Sequence, residues 1–209
     1  MNQLKKLELS FYDRPEVTEI ARELLGKVLV TNIDGIYTSG RIVETEAYAG
    51  VFDRASHAYA GRKTARNEVM YKDAGSAYIY LCYGLHHLFN VVTNKADIPH
   101  AILVRALEPL NGIETMLKRT HKKILDDHLT RGPGNLSRAM GLHTRYSGYT
   151  LQSDQIYIAV DDFRLDQKKI VKTARIGVDY AGKDAKRKFR FIVHGNPYVS
   201  GGARMGGGR

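Results

Sequence analysis

The stretch Ala77-Tyr-Ile-Tyr-Leu-Cys-Tyr-Gly-Leu-His-His-Leu-Phe-Asn-Val-Val-Thr93 reads as two β-rich arms around Tyr83-Gly84. Aromatic and β-branched residues fill both arms, which suits a half-buried pleated surface. The pattern predicts an antiparallel hairpin, although its turn is not of the Asn-Gly type. A second hairpin precedes it, with Val28-Leu29-Val30 and Ile42-Val43 flanking a turn at Asp34-Gly35. Further out, Ile102-Leu103-Val104 reads as a short buried strand, and residues 156–160, 170–176 and 189–193 are strand candidates. Helical spacing appears three times. Pro15 opens the first pattern, with Val17, Ile20, Ala21, Leu24 and Leu25 on one face, Asp13 at the N-cap position and Gly26 as a stop. Leu110–Leu117 and Leu136–Leu142 are the others.

Residues 1–9 are polar and read as loose, and residues 49–75 read as a long loop of the kind that is usually functional or disordered. Residues 201–209 form a glycine-rich tail, expected to be disordered. The expectation is an α+β fold, with one mixed domain over 1–200 built on a mostly antiparallel sheet.

With 209 residues, 43% of them hydrophobic and 26% charged, the chain is ordinary for a globular protein with a real core. It has no run of about 18 apolar residues and no apolar leader at its start, so a cytoplasmic location without membrane contact is expected. Cys82 is the one cysteine, which excludes an internal disulfide and a cysteine-based zinc site. The formal net charge of +10 is uneven. Residues 1–60 hold 7 basic and 9 acidic side chains, and residues 61–209 hold 25 and 13. A basic part of this kind suits a polyanion such as DNA or RNA, since clustered cations release counterions on binding phosphates. Charge alone leaves a merely solvated surface equally open.

Chemistry concentrates in Arg41-Ile-Val-Glu-Thr-Glu-Ala-Tyr48. On a strand, Ile42, Glu44, Glu46 and Tyr48 share one face, where two carboxylates could serve as an acid/base pair or simply meet solvent. No metal-ligand spacing accompanies them, and His86-His87 would point to opposite faces. Tyr78, Tyr80 and Tyr83 suit either strand packing or stacking on bases, with Tyr83 at the hairpin tip. Asn90, inside an apolar arm, needs hydrogen-bond partners or reads a ligand edge. Gly132-Pro133-Gly134 before a helix could present N–H groups to a phosphate or be a plain helix entry.

Taken in order, Arg41–Tyr48, Ser56-His57, Thr64-Ala-Arg-Asn67, Tyr78–Gly84 with Asn90, Leu103–Leu110, Arg131-Gly-Pro-Gly134 and Arg190–Pro197 span nearly the whole chain. The ordered set resembles the alkyladenine (3-methyladenine) DNA glycosylase family, the type that does not use a helix-hairpin-helix. The resemblance implies a curved sheet with a protruding DNA-inserting hairpin. It implies a monomeric repair enzyme that flips a damaged purine out of double-stranded DNA and hydrolyses its N-glycosidic bond, leaving an abasic site. It implies no cofactor and no metal. By position, Glu46 would be the general base on water, with Arg105 helping to hold that water. Tyr48 and His57 would meet the flipped base, Tyr80 would stack on its other side, and Asn90 would disfavour normal guanine. Tyr83 would fill the gap left in the duplex. Arg131, Gly132 and Gly134, with the basic segment 168–190, would hold the DNA backbone. A lyase route needs an amine nucleophile, and no lysine stands at these positions. The family often has a lysine after Arg131-Gly-Pro-Gly134, where this chain has Asn135. A binding module without catalysis and a hydrolase of free nucleosides are the competing readings.

Overall fold

In the computed structural model, which describes residues 4–201, nine strands form one open sheet in which every pairing is antiparallel. The strands are β1 (Lys5–Lys6), β2 (Val28–Ile33), β3 (Ile36–Tyr48), β4 (Ala77–Cys82), β5 (His86–Thr93), β6 (His100–Asn111), β7 (Ile156–Val160), β8 (Ile170–Thr173) and β9 (Arg190–Val193). Their main order is β1-β7-β2-β3-β6-β5-β4, with β9 pairing both β3 and β8. Helices α1 (Leu9–Tyr12), α2 (Val17–Glu23), α3 (Ile113–Thr120) and α4 (Pro133–Met140) complete the α+β architecture.

β3 is the spine. Its first half pairs with β2 through the expected Asp34-Gly35 hairpin, whose two residues take φ of +55° and +74° as a type I′ turn requires. Its second half pairs with β9, at Glu44↔Ile192 and Glu46↔Arg190. β6 runs along the opposite edge, but register shifts leave Val43 on β3 and Arg105 on β6 without cross-strand Cα partners. These irregularities break the strict alternation expected from the sequence. Ile42 and Val43 both join the apolar core, while Glu44 and Glu46 meet Arg105. The core is completed by α2, whose Ile20, Ala21 and Leu24 are buried, and Thr45 Oγ1 ties β3 to it by donating to the Ala21 carbonyl at 2.8 Å.

Several expectations are corrected. The polar start is anchored: Lys5 and Lys6 pair with β7, Lys6 Nζ reaches Gln152 O, Ser153 O and Asp154 Oδ1, and Tyr12 of α1 is buried. Asp13 is not the cap of the next helix; Glu16 holds that place, without a side-chain cap bond. The strand expected over 102–104 extends across all of β6, and Leu110 and Asn111 close that strand rather than open a helix. Helix α3 starts only after Gly112, which turns the chain at φ +75°. The strand candidate at 170–176 stops at Thr173. Residues 49–75 are, as expected, free of strand and α-helix, with three short 3₁₀ turns. Of the glycine-rich tail, 202–209 lie outside the described residues.

Gly112 combines a left-handed backbone with a close approach, since a Cβ there would meet the Tyr37 carbonyl oxygen at 2.5 Å. Gly35 has the same φ in open space. Gly112→Ala is therefore expected to cost more than Gly35→Ala, which carries only the left-handed penalty of about 1–2 kcal/mol. Urea unfolding of the two variants measures the difference.

Candidate active site

Glu46 is fully buried on β3, and its carboxylate is held by three donors. The Ile176 backbone N–H donates to Oε1 at 2.8 Å; the Tyr48 hydroxyl and Arg105 Nη1 donate to Oε2 at 2.8 and 3.3 Å. Burial, and then the Glu46 charge, push the Tyr48 phenol well above its ordinary pKa, so it stays a donor. Burial works against the Arg105 charge, but Glu46 and Glu44 outweigh it and raise its pKa. The other end of Arg105 is fixed by Glu44, which accepts from Arg105 Nε (2.9 Å), Arg190 Nε (2.7 Å) and the Ser200 backbone N–H (2.7 Å). Two carboxylates thus face two guanidinium groups, and the buried charges balance.

Tyr48, Arg105 and Ile176, the three donors to Glu46, line a cavity of about 430 Å³. His57, Tyr80, Asn90 and Tyr83 line it too, so the structure brings these expected site residues together around one space. His57 Nδ1 lies 2.8 Å from the Tyr78 hydroxyl, leaving Nε2 free for a ligand. Its ring packs edge-on against Tyr80 with centroids 4.6 Å apart. Burial, with Arg66 and Arg62 beside it, lowers the His57 pKa to about 4, so the ring is neutral at pH 7. Asn90 spends both amide hydrogens on the Tyr78 and Leu88 carbonyls, each at 3.1 Å. Tyr83, at the tip between β4 and β5, is 91% exposed.

Arg131, Gly132 and Gly134 do not line this cavity. Arg131 is bound to Asp127 and to the Pro197 carbonyl rather than free. Asn135 donates to the His128 and Arg131 carbonyls and fastens the same turn. Two cations of the 168–190 segment are also not surface charges: Arg190 pairs with Glu44, and Arg175 makes a fully buried two-pronged pair with Asp53. The Arg175 guanidinium carbon lies 4.8 Å from the centre of the Tyr48 ring and so backs the pocket wall.

Sequence reasoning missed Tyr180, which stands 72% exposed at the cavity rim with its hydroxyl donating to the Ala55 carbonyl at 3.1 Å. It missed the Ile176 N–H as well, because a backbone donor leaves no trace in residue type. Glu44 was visible beside Glu46, but not its part in clasping two arginines.

The family model for methylpurine-DNA glycosylase (MPG) matches residues 10–197. The chain belongs to the methylpurine-DNA glycosylase family. Similar relatives include a protein of Clostridium perfringens (strain 13), 41% identical over 203 residues that cover 93% of this chain and 98% of its own. One of Clostridium acetobutylicum is 43% identical, covering 93% and 97%, and one of Chlamydia abortus is 46% identical, covering 88% and 96%. Each bears the name of a candidate 3-methyladenine DNA glycosylase. As a methylpurine-DNA glycosylase family member the chain is a DNA-repair enzyme acting on N-glycosyl bonds, with DNA as its substrate. No described helix is long and apolar enough to cross a membrane.

Removing Glu44 leaves guanidinium groups in the interior without their shared counter-charge. Glu44→Ala is expected to destabilise the fold by about 3–5 kcal/mol in urea unfolding, the usual cost of breaking a buried pair. A second expectation concerns pH. The unfolded chain takes up a proton at His57 near the ordinary value of 6.5, whereas the folded ring resists it down to about 4. Stability from the neutral ring is therefore present above pH 6.5 and lost as pH falls toward 4. The urea midpoint of the native protein should drop more steeply across that window than that of His57→Gln.

Proposed function

We propose that this protein excises a damaged purine, of the 3-methyladenine kind or a deaminated or etheno relative, from double-stranded DNA by hydrolysis assisted by Glu46. The observation that carries the reading is a buried carboxylate whose three donors are themselves the wall of an aromatic cavity, with an exposed tyrosine at its mouth.

In this reading Tyr83 enters the duplex and takes the space of the extruded nucleotide, while the base enters between Tyr48, His57 and Tyr80. Extrusion costs a few kcal/mol, and less for a damaged or mispaired base, so the step itself selects. Water approaches beside Arg105, whose 3.3 Å contact is the longest that Glu46 accepts and the easiest to open. The C1′–N9 bond breaks with its electron pair leaving on the purine. The water oxygen bonds to C1′, and its proton passes to Glu46. A cationic alkylpurine departs neutral and needs no general acid, whereas a neutral hypoxanthine or ethenoadenine departs as its anion and takes up a proton from water. The anionic Glu46 also favours the positive charge that builds on the sugar. Asn90, with its amide hydrogens already committed to carbonyls, excludes the guanine amino group through close approach rather than donor–donor repulsion.

The test is a strand-cleavage assay on labelled duplexes, each with one lesion (3-methyladenine-type, hypoxanthine or ethenoadenine), incubated in EDTA and then heated in alkali. The native protein should give alkali-dependent breaks at a lesion. Glu46→Gln should bind the same duplex and cut it at least about 100-fold more slowly, the scale of a lost general base. Undiminished turnover in that variant removes Glu46 from the mechanism. Salt-sensitive binding without cleavage of any lesion favours a binding module instead.

A further inference from the structure

Tyr180 takes no part in the steps proposed above, yet it lines the same cavity as the three donors to Glu46. A second hollow adjoins that cavity, and Tyr180, His57 and Arg66 line both, which places the Tyr180 side chain where the two open into each other. Its hydroxyl is turned inward and donates to the Ala55 carbonyl at 3.1 Å, while most of the residue faces water. Burial of the hydroxyl is the largest influence on its pKa. Arg175 works against it, and Asp53, Tyr83 and Glu46 add to it, so the pKa rises and the group remains a donor. Glu46 and Tyr83 both act on this hydroxyl, which therefore lies between the buried carboxylate and the hairpin tip.

The fold does not need this side chain as a tie. Tyr180 spans two irregular segments, one carrying His57 and the other the Ile176 N–H. They are already joined by the buried Arg175–Asp53 pair and by the Arg54 backbone N–H, which donates to Asp184 Oδ2 at 3.0 Å. Buried Ala55, Val178 and Ala181 add a small apolar cluster between them. What the bond to Ala55 does is fix the ring. A tyrosine turns about only two side-chain torsions, and a hydrogen bond at its far end restrains both, so little ordering cost remains when a ligand meets it. A fixed aromatic ring kept in water at the rim of a cavity is contact surface for what enters that cavity.

The order of groups along the pocket says which part of the ligand that is. With a purine between Tyr48, His57 and Tyr80, and its C1′ within reach of a water beside Glu46, the deoxyribose lies between Glu46 and the mouth. Tyr180 borders that span. We propose that Tyr180 is a positioning residue, whose ring packs on the deoxyribose of the extruded nucleotide and holds C1′ in line with the water at Glu46. The inference rests on the base-extrusion step proposed for this cavity. Attack at C1′ needs near-contact geometry, and a misplacement of about 1 Å can slow such a step about 100-fold. The sugar is the same under every lesion, so the contact serves all of them alike.

The experiment compares full-length native protein, Tyr180→Phe and Tyr180→Ala in single-turnover excision with enzyme in saturating excess. The duplexes carry the two lesions that the native protein cuts fastest, each with 2-aminopurine as its 3′ neighbour, whose emission rises when the lesion leaves the stack. Tyr180 is largely exposed, so its replacement should leave the fold intact, and thermal melts check this. Tyr180→Ala is expected to slow the chemical step about 10- to 100-fold on both lesions by similar factors, with duplex affinity and the 2-aminopurine signal close to native. Tyr180→Phe, which keeps the ring, should recover most of that rate. Native rates in Tyr180→Ala overturn the proposal. So does equal slowing in both variants, which would place the effect in the Ala55 bond. A lost 2-aminopurine signal in Tyr180→Ala overturns it too, by moving the residue to extrusion, and losses that differ widely between the lesions would make Tyr180 a reader of the base instead. The native protein keeps the two claims apart: if it gives neither the emission rise nor excision, the extrusion reading falls, whereas both signals with unaffected variants sink the Tyr180 contact alone.

Discussion

Two carboxylates and two guanidinium groups meet where β3 lies between β6 and β9, and much of the molecule is arranged around that encounter. An isolated ion in this interior would cost several kcal/mol, even after relaxation and water penetration. No element can supply the balance alone. Glu44 and Glu46 come from β3, Arg105 from β6 and Arg190 from β9, while Ser200 adds a backbone donor from the far end of the chain. The charges are satisfied only when three strands are paired in register and the last described residues are docked. The register shifts at Val43 and Arg105 accompany this arrangement: they leave Arg105 out of the Cα pairing at the point where its side chain reaches both carboxylates. Folding and assembly of the site are thus one event, and the orientation of Glu46 is inherited from the sheet.

A second buried pair does for the long loop what the first does for the sheet. Asp53 accepts from the Ala49 and Ala55 backbone N–H groups as well as from Arg175, so an irregular segment is pinned by one carboxylate. Arg175 also donates to the Ala47 carbonyl and lies against Tyr48. Further along, Asn67 closes the loop around His57. A segment with no strand and no α-helix can carry pocket residues because its polar groups are satisfied from within.

This division explains what could be read from the sequence. The Asp34-Gly35 hairpin and the Ala77–Thr93 hairpin were legible because turn chemistry and strand composition are local properties. The full extent of β6 was not, since Glu108-Pro109 in mid-run looks like a break. Pro109 is tolerated opposite Gly40, beside an irregularity in the β3–β6 register. Net charge misled in one respect: Arg175 and Arg190 count as part of a basic segment but are buried counter-ions, and charge read along a chain carries no information on burial. Tyr180 gave no signal, because its importance lies in standing beside a loop more than a hundred residues earlier.

At the hairpin tip local preference and structure disagree openly. Tyr83 adopts φ of +51°, a conformation that asparagine or glycine takes far more readily and that costs other residues about 1–2 kcal/mol. Its ring gains nothing in return within the folded protein, being 91% exposed. Leu85 beside it and Tyr180 across the cavity mouth are also left largely in water, at 73% and 72%. Packing cannot account for a strained aromatic at the edge of an aromatic cavity, flanked by further exposed apolar side chains. Such a surface marks a contact site, and on the duplex-entry role proposed for Tyr83 the strain and exposure would be recovered on DNA. On that proposal the positive φ at Tyr83 belongs to recognition rather than to folding.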